Sequence, residues 1–205
     1  MLCVAGSASA QTELLQNASF EEWNGEEPTH WVSVSSASKA TLSKSADART
    51  GAASVMVAGA NSNQRLAYEE MTLLPGTYTF SFYVKAATDE NASACPGYAP
   101  IKADGKTGTY SYGEYVNDVT NTEWKQAVYT FTLKEETELC LVVMNPDGPY
   151  GEEGKPTKGA DLLLDDASLT TMDGGIVDEP EPEPEPEPSA VIFEEAFDES
   201  LGGFT

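Results

Sequence analysis

The stretch from Leu74 to Ala86 constrains the fold more than any other part of this chain. Pro75-Gly76 predicts a turn, because proline presets the first turn dihedral and glycine accepts the positive φ that follows. After the turn, apolar and polar side chains alternate, which is the period-2 pattern of a β-strand with one buried face. The positions that we expect to face a core are Tyr78, Phe80, Phe82, Val84 and Ala86.

The segment before this turn, residues 65–73, also has the composition of a strand. We therefore expect segments 65–73 and 76–86 to form a hairpin-like pair whose apolar faces need a second sheet to cover them. Further short runs of β-branched, aromatic and aliphatic residues lie between turn-rich breaks, without helical periodicity. These runs are residues 14–21, 31–34, 40–44, 53–57, 110–116, 124–133, 138–144 and 162–170. About ten short strands predict an all-β fold, a two-sheet antiparallel β-sandwich of the jelly-roll type.

Composition divides the chain into four parts. Residues 1–10 end in Ala8-Ser9-Ala10, the small-residue pattern of a cleavage site, and are interpreted as part of a secretory signal peptide. Residues 11–177 hold the predicted sandwich. Residues 178–188 are a Glu-Pro linker, which predicts an extended spacer of roughly 30 Å because proline fixes φ and the glutamates repel one another. Residues 189–205 are interpreted as the start of a second domain. This organisation predicts an exported protein, either secreted, periplasmic or on the cell surface.

The charge balance restricts the partners. The chain of 205 residues has a formal net charge of −23. Such a surface argues against binding to nucleic acid or anionic lipid, because Lys and Arg must supply that attraction. Neutral sugars and cations remain compatible with it. No stretch is long and apolar enough to predict a transmembrane helix, and we expect a monomer.

Two cysteines remain if Cys3 is removed with the signal peptide, and an exported compartment permits them to pair. Cys140 lies in a predicted strand, and Cys95 lies in residues 87–109, which we interpret as a long loop. A Cys95–Cys140 disulfide would hold this loop against the sheet. Two buried thiols are the alternative.

Catalytic constellations are not found in residues 12–171. The doublets Glu69-Glu70 and Asp165-Asp166 do not make converging acid–base pairs, because neighbouring residues of a strand point to opposite faces. The single histidine, His30, stands at the entry of a predicted strand. The segment contains no Ser/His/Asp set, phosphate loop or Cys/His metal spacing, so we do not expect an enzyme in it.

Four segments carry a family resemblance. They are Asn17-Ala-Ser-Phe-Glu21, residues 48–57, the strand of residues 75–86, and Leu164-Asp-Asp-Ala-Ser-Leu169. In this order they resemble the carbohydrate-binding modules attached to bacterial xylanases and cellulases, which are galactose-binding-like jelly rolls. The resemblance covers residues 12–171 and implies a non-catalytic polysaccharide-binding module of an exported multidomain protein. The order of signal, sandwich, linker and further domain looks like that of a surface protein from a polysaccharide-degrading bacterium of the Bacteroides type.

The resemblance also implies a structural calcium ion that links the first strand, a nearby loop and the last strand. The matching oxygen-bearing positions are Glu21, Asp47 and Asp165. Hard oxygen ligands from both ends of the chain would tie the sandwich together. The alternative is that Glu21 is simply exposed and that Asp165 accepts hydrogen bonds from the backbone.

Sugar binding needs an exposed aromatic ring, which stacks on the C–H face of a pyranose, and polar groups that bind its hydroxyls. Alternation turns Tyr83 outward from the central strand, where an aromatic ring needs a cover, and we expect that cover to be either the segment 87–109 or a sugar ring. The candidates that we expect to line the same surface are Tyr68, Arg65, Tyr98, Tyr110, Tyr112 and Glu114. Each tyrosine has the alternative of being a half-buried sheet residue. The alternative function is a structural or protein-interaction spacer without glycan binding, because a fold does not carry its function with it.

Overall fold

The computed structural model describes residues 11–32, 36–151 and 153–177. Within these ranges the chain forms fourteen β-strands and no helix. In chain order they are β1 (Thr12–Glu13), β2 (Trp23–Asn24), β3 (Glu27–Pro28), β4 (Leu42–Ser45), β5 (Ser54–Val57), β6 (Gln64–Ala67), β7 (Met71–Leu73), β8 (Gly76–Ala86), β9 (Ala92–Pro100), β10 (Ser111–Tyr112), β11 (Val116–Val119), β12 (Lys125–Leu133), β13 (Thr137–Asn145) and β14 (Leu162–Thr171). The predicted signal peptide, linker and second-domain start, and residues 33–34 of a predicted strand, lie outside the described residues.

Two six-stranded sheets account for twelve of the strands, and β2 and β3 form a small sheet of their own. The first sheet has the order β12-β8-β14-β5-β4, with β1 beside β14. The second has the order β10-β9-β13-β6, with β11 beside β9 and β7 beside β13. Every pair is antiparallel, so the predicted all-β, two-sheet antiparallel sandwich is confirmed. Among the described residues no helix could span a membrane.

Strand β8 is central to the first sheet, and its predicted alternation is confirmed. The five apolar side chains of the predicted inner set are all buried, four of them completely. They pack against leucines of β13 and β14 in one continuous core. Burial of each large apolar side chain stabilises the fold by roughly 1.5–3 kcal/mol, so this strand supplies a large part of the core.

The predicted hairpin of segments 65–73 and 76–86 is wrong. Strands β6 and β7 pair with β13 in the second sheet, whereas β8 pairs with β12 and β14 in the first. Both segments turn an apolar face inward, with Leu66 and Leu73 on one side and Phe80 on the other. Because both apolar faces are buried in the same core, the two segments face each other across it. The chain therefore changes sheets at Leu74-Pro75.

The predicted long loop of residues 87–109 is also wrong, because residues 92–100 form strand β9. Its Ala, Pro and Gly residues have low β-propensity, and this composition is typical of a loop. The packing explains the choice of small residues. Ala94 is fully buried in the core, and Ala99 is fully buried on the opposite side of the same sheet.

The predicted Cys95–Cys140 disulfide is not formed. The register of β9 and β13 pairs Cys95 with Met144 and Cys140 with Ala99. The two cysteines are thus four residues apart along neighbouring strands, or about 13 Å at ~3.3 Å per residue. A disulfide needs Cα atoms within about 7 Å. Both side chains are buried thiols, and burial raises the pKa of Cys95 to about 11.

The predicted first strand, residues 14–21, is wrong. Strand β1 ends at Glu13, and residues 14–21 take an irregular path. Within that path Asn17 has a positive φ, and its side-chain amide donates hydrogen bonds to the carbonyl oxygens of Glu22 and Thr29. Asn is one of the few residues that accept this backbone conformation readily. The turn carries Phe20 into the core, where its ring lies against Trp31.

Candidate functional site

The outer face of the second sheet, turned away from the core, brings two predicted site residues together. Arg65 reaches in from β6 and Tyr112 from β10, with β9 and β13 between them. The Nε–H of Arg65 donates a hydrogen bond of 2.8 Å to the Tyr112 hydroxyl. Three strand spacings of ~4.8 Å make about 14 Å, so both side chains must extend across the sheet to meet. We call this surface the second-sheet face; it comprises Arg65, Ala67, Cys95, Gly97, Ala99, Tyr110, Tyr112, Cys140, Val142 and Met144.

Tyr110 completes an aromatic group on the second-sheet face. The rings of Tyr110 and Tyr112 are nearly parallel, at 8°, with centroids 5.6 Å apart. The guanidinium carbon of Arg65 lies 4.5 Å from the centroid of the Tyr110 ring. A cation–π contact of this kind contributes about 0.5–2 kcal/mol. Burial raises the pKa of Tyr112, although its hydrogen bond from Arg65 and the arginine charge act in the opposite direction.

Small residues beneath the rings make this arrangement possible. A Cβ atom on Gly97 would lie 2.6 Å from Cδ1 of Tyr112, so the ring rests directly on the glycine. The neighbouring side chains of the second-sheet face are completely buried even though they point away from the core. They are Ala67, Ala99, Cys140 and Val142. The tyrosine rings and their neighbours shield this part of the sheet from water.

One end of the second-sheet face is covered by two loop segments. Ala37 packs on Ala67, Ala99 and Cys140, and the Ser36 and Thr107 hydroxyls meet at 2.7 Å. Ser36 comes from the segment beside β6, since the N–H of Lys39 donates to the Arg65 carbonyl oxygen. Thr107 comes from the turn after β9, where it pairs with Ile101. The cover lies over the Ala99–Cys140 row, which is four residues along the strands from the Cys95–Met144 row.

Tyr115 stands at the other end of this surface, and the sequence reasoning missed it. Its side chain is 49% exposed. Burial of the remainder raises its pKa, the nearby Cys95 and Asp147 add to the rise, and the charge of Arg65 opposes it. The predicted continuous strand 110–116 breaks at Gly113, whose N–H donates to the Pro96 carbonyl oxygen. An interior glycine often marks such a break, and it was the available signal.

The remaining predicted residues on this side divide into exposed and buried. Glu114 is exposed in the same break as Tyr115. Tyr68 is only 3% exposed, because it points into the core, where its ring meets the edge of Trp31 at 5.1 Å. Tyr98 also faces inward, with its ring 4.7 Å from Phe131. The structure therefore contradicts Tyr68 and Tyr98 as residues of the surface.

Tyr83 does point outward from β8, as predicted, but it lies on the opposite side of the sandwich. Strand β8 belongs to the first sheet, so Tyr83 cannot share a surface with Arg65 and Tyr112. Its cover is the guanidinium of Arg49, 3.5 Å from the ring centroid. Arg49 is held there by an ion pair of 2.6 Å with Asp166. The expectation that the segment 87–109 or a sugar covers Tyr83 is replaced by this contact.

Two of the three predicted calcium ligands fix one loop. The buried Asp165 carboxylate accepts hydrogen bonds from the backbone N–H groups of Arg49, Thr50 and Asp166, at 2.6, 3.2 and 2.7 Å. Burial raises the pKa of Asp165, and these three bonds act against the rise. The Glu21 carboxylate accepts from the N–H groups of residues 52 and 53. Both carboxylates thus hold residues 49–53.

The third predicted ligand has another partner, because Asp47 forms an ion pair of 2.5 Å with Lys85. Among the described residues no group of three or more Asp, Glu, His or Cys side chains is placed to hold a metal. As they lie, these carboxylates do not fit a shared ion.

Calcium binding therefore stays a prediction that rests on the resemblance. If an ion is held, the melting temperature rises in millimolar calcium and falls in EDTA, because an ion that binds only the folded state stabilises it. Asp165→Asn would remove the response, whereas Asp104→Asn, which removes an exposed carboxylate outside the predicted ligand set, is the control for general charge effects. The same melt in calcium and in EDTA would contradict the prediction.

Solved structures share this fold. The CBM22-1 xylan-binding domain of Paenibacillus barcinonensis Xyn10C is 19% identical, with a TM-score of 0.55 over 81% of this chain and 98% of that one. TmCBM61 in complex with β-1,4-galactotriose is 16% identical, with a TM-score of 0.51 over 78% of this chain and 99% of that one. At these identities the likeness concerns the fold alone. A search of curated proteins finds no match to this chain.

A family model described as a carbohydrate binding domain matches residues 12–147. The match includes β1 to β13, and with them every residue of the second-sheet face. It agrees with the family resemblance and with the function that the sequence predicted. The chain belongs to this carbohydrate-binding domain family.

Proposed function

We propose that the second-sheet face, together with Tyr115, binds a polysaccharide chain, and that the protein is a non-catalytic module. The observation that carries the proposal is the pair of nearly parallel rings, Tyr110 and Tyr112, with Arg65 fixed against both. Aromatic rings bind the apolar C–H faces of sugars, and a few placed polar groups orient the hydroxyls. The second-sheet face supplies both.

Preorganisation supports the proposal. The hydrogen bond to Tyr112 and the stacking on Tyr110 hold the Arg65 side chain before any ligand arrives. Ordering a long side chain on binding costs about 0.5–1.5 kcal/mol. Because Arg65 is already ordered in the folded protein, a ligand does not have to supply this free energy. Tyr115, half exposed beside this group, offers a further ring to a ligand.

The two pairs of adjacent acidic residues, Glu69-Glu70 and Asp165-Asp166, support a non-catalytic role, because each pair has a structural partner. Asp165 and Asp166 hold the segment of Arg49 on the far side of the sandwich. Glu69 lies 2.7 Å from His30. The signal-like residues 1–10 and the Glu-Pro linker support an exported, multidomain setting, such as a surface protein of a polysaccharide-degrading bacterium of the Bacteroides type.

One observation favours the second candidate, a structural spacer without glycan binding. The contact of Ser36 with Thr107 and the packing of Ala37 fill one end of the second-sheet face with the protein's own side chains. A spacer would have the same fold and no ligand. Retention of a glycan separates the two candidates.

We expect Tyr112→Ala to weaken retention of polysaccharide at least about fivefold in affinity electrophoresis of the full chain. The loss of one aromatic contact with a sugar amounts to roughly 1–3 kcal/mol. The structures named above make xylan and β-1,4-galactan the first probes. Tyr83→Ala is the matched control, because Tyr83 lies on the other sheet, and its retention should equal that of the wild type. If no polysaccharide in a broad screen is retained, the spacer candidate replaces the proposal.

A further inference from the structure

Arg65 is a half-buried cation that has no acidic partner among the described residues. The protein has 34 Asp and Glu against 11 Lys and Arg, and only two of these are arginines. The other arginine, Arg49, pairs with Asp166. Within the described residues no carboxylate forms an ion pair with Arg65. A half-buried guanidinium therefore keeps its charge uncompensated, although acidic side chains outnumber basic ones threefold.

The unused part of this guanidinium is a fork of donors. Arginine carries five N–H groups, of which one is on Nε and four are on the two terminal nitrogens. The Nε–H is occupied by the Tyr112 hydroxyl. The stacking on Tyr110 fixes the plane of the group. The terminal nitrogens Nη1 and Nη2 then present two parallel N–H groups, the geometry that binds a carboxylate through both of its oxygens.

We propose that this fork binds a carboxylate of the polysaccharide, so that the ligand class is a polysaccharide bearing uronic acids. The inference deepens the proposed function and rests on it. A neutral hydroxyl could be bound by an uncharged amide side chain, whereas a desolvated guanidinium gains most from an anion. A sulfate ester shares the anionic chemistry, but its oxygens are not coplanar, and the planar fork matches a carboxylate better.

The net charge of −23 does not oppose this local recognition. At physiological ionic strength, interactions between exposed charges more than about 8 Å apart are largely screened. The anion would meet the fork of Arg65 directly, inside that distance. The overall negative charge instead disfavours non-specific retention of acidic polysaccharides, so any retention of them points to a specific contact.

The experiment compares one polysaccharide in two chemical forms. The probes are glucuronoxylan and the same polymer after reduction of its carboxyl groups, measured by affinity electrophoresis with the full chain. We expect the wild type to bind the acidic form about tenfold more tightly, the order of a charge-assisted hydrogen bond. Arg65→Lys keeps the charge but loses the fork, and it should bring the ratio of the two affinities close to one. Arg49→Lys is the matched control, because it changes the other arginine, and it should keep the ratio.

The outcomes separate this inference from the proposed function. Equal binding of both polymers by the wild type would overturn the carboxylate inference while leaving polysaccharide binding in place. A sulfated polysaccharide and its desulfated form are the second pair of probes. A preference for sulfate without one for glucuronoxylan would also overturn the carboxylate assignment. Failure to bind any of the four polymers or any neutral glycan would overturn the proposed function itself.

Discussion

Replacing Asp165 with alanine is expected to lower the free energy of unfolding by roughly 3–5 kcal/mol. This carboxylate is completely buried and accepts three backbone hydrogen bonds, from the N–H groups of Arg49, Thr50 and Asp166. A hydrogen bond to a charged group contributes about 1.5–3 kcal/mol. Removal of the charge returns part of the desolvation cost, which is why the expected loss is smaller than the sum of three bonds.

Urea denaturation of the wild type and the variant measures this loss. Asp166→Asn is the matched control, because Asp166 is the next residue and binds the Arg49 and Thr50 side chains on the surface. Asparagine accepts the positive φ of this position, whereas alanine would add backbone strain. Asp166 is less buried, and such surface pairs contribute about 0–1 kcal/mol. A midpoint for Asp165→Ala that equals that of Asp166→Asn would show that the three backbone bonds do not stabilise the fold.

The local pattern of β8 was enough to predict which of its side chains are buried. Alternation depends only on the period of the strand, and the five apolar residues from Tyr78 to Ala86 are buried as predicted. The pairing of β8 was not predictable in the same way, because nothing within residues 65–86 records which strands lie beside it. Its neighbours β12 and β14 come from distant parts of the sequence. The wrong hairpin followed from preferring a partner close in the chain.

That error also explains the wrong position of Tyr83. Its outward direction was correct, but the hairpin placed β8 in the same sheet as Arg65, and hence on the same surface. The sequence alone is enough to exclude Tyr68 from the surface of Arg65. Tyr68 is three residues from Arg65, so a continuous strand turns the two side chains to opposite faces. Arg65, Tyr112 and the neighbouring Tyr110 meet both conditions, because their side chains point away from the core and they lie at the second sheet.

Tyr115 and β9 show a different limit. The small residues of β9 predict a loop and residues 110–116 predict a continuous strand, whereas glycines in both segments allow close packing here. Gly97 lies under the Tyr112 ring, and a Cβ on Gly113 would lie 2.7 Å from the ring of Tyr129. Low β-propensity describes what a residue prefers on an average sheet surface. It does not report that a large ring from another strand needs the space.

Replacing Gly97 with alanine is expected to disable the second-sheet face, although no ligand-binding side chain is changed. The new Cβ would lie 2.6 Å from the Ser111 carbonyl oxygen and 2.6 Å from Cδ1 of Tyr112. Neither contact is tolerable, so β10 must shift away from β9 and lift the ring from the sheet. The hydrogen bond from Arg65 to Tyr112, which holds the guanidinium in place, is then lost.

Affinity electrophoresis should therefore show at least a tenfold loss of polysaccharide retention for Gly97→Ala, equal to or greater than the loss for Tyr112→Ala. Overpacking of this kind also destabilises a fold by about 1–3 kcal/mol, which a thermal melt would detect. Gly151→Ala is the control, because its nearest neighbour, Cγ2 of Thr157, would be at an ordinary 3.4 Å. That variant should match the wild type in both measurements. If Gly97→Ala retained polysaccharide as the wild type does, the packing of the Tyr112 ring on Gly97 would not matter for binding. The second-sheet face would then not be the binding site.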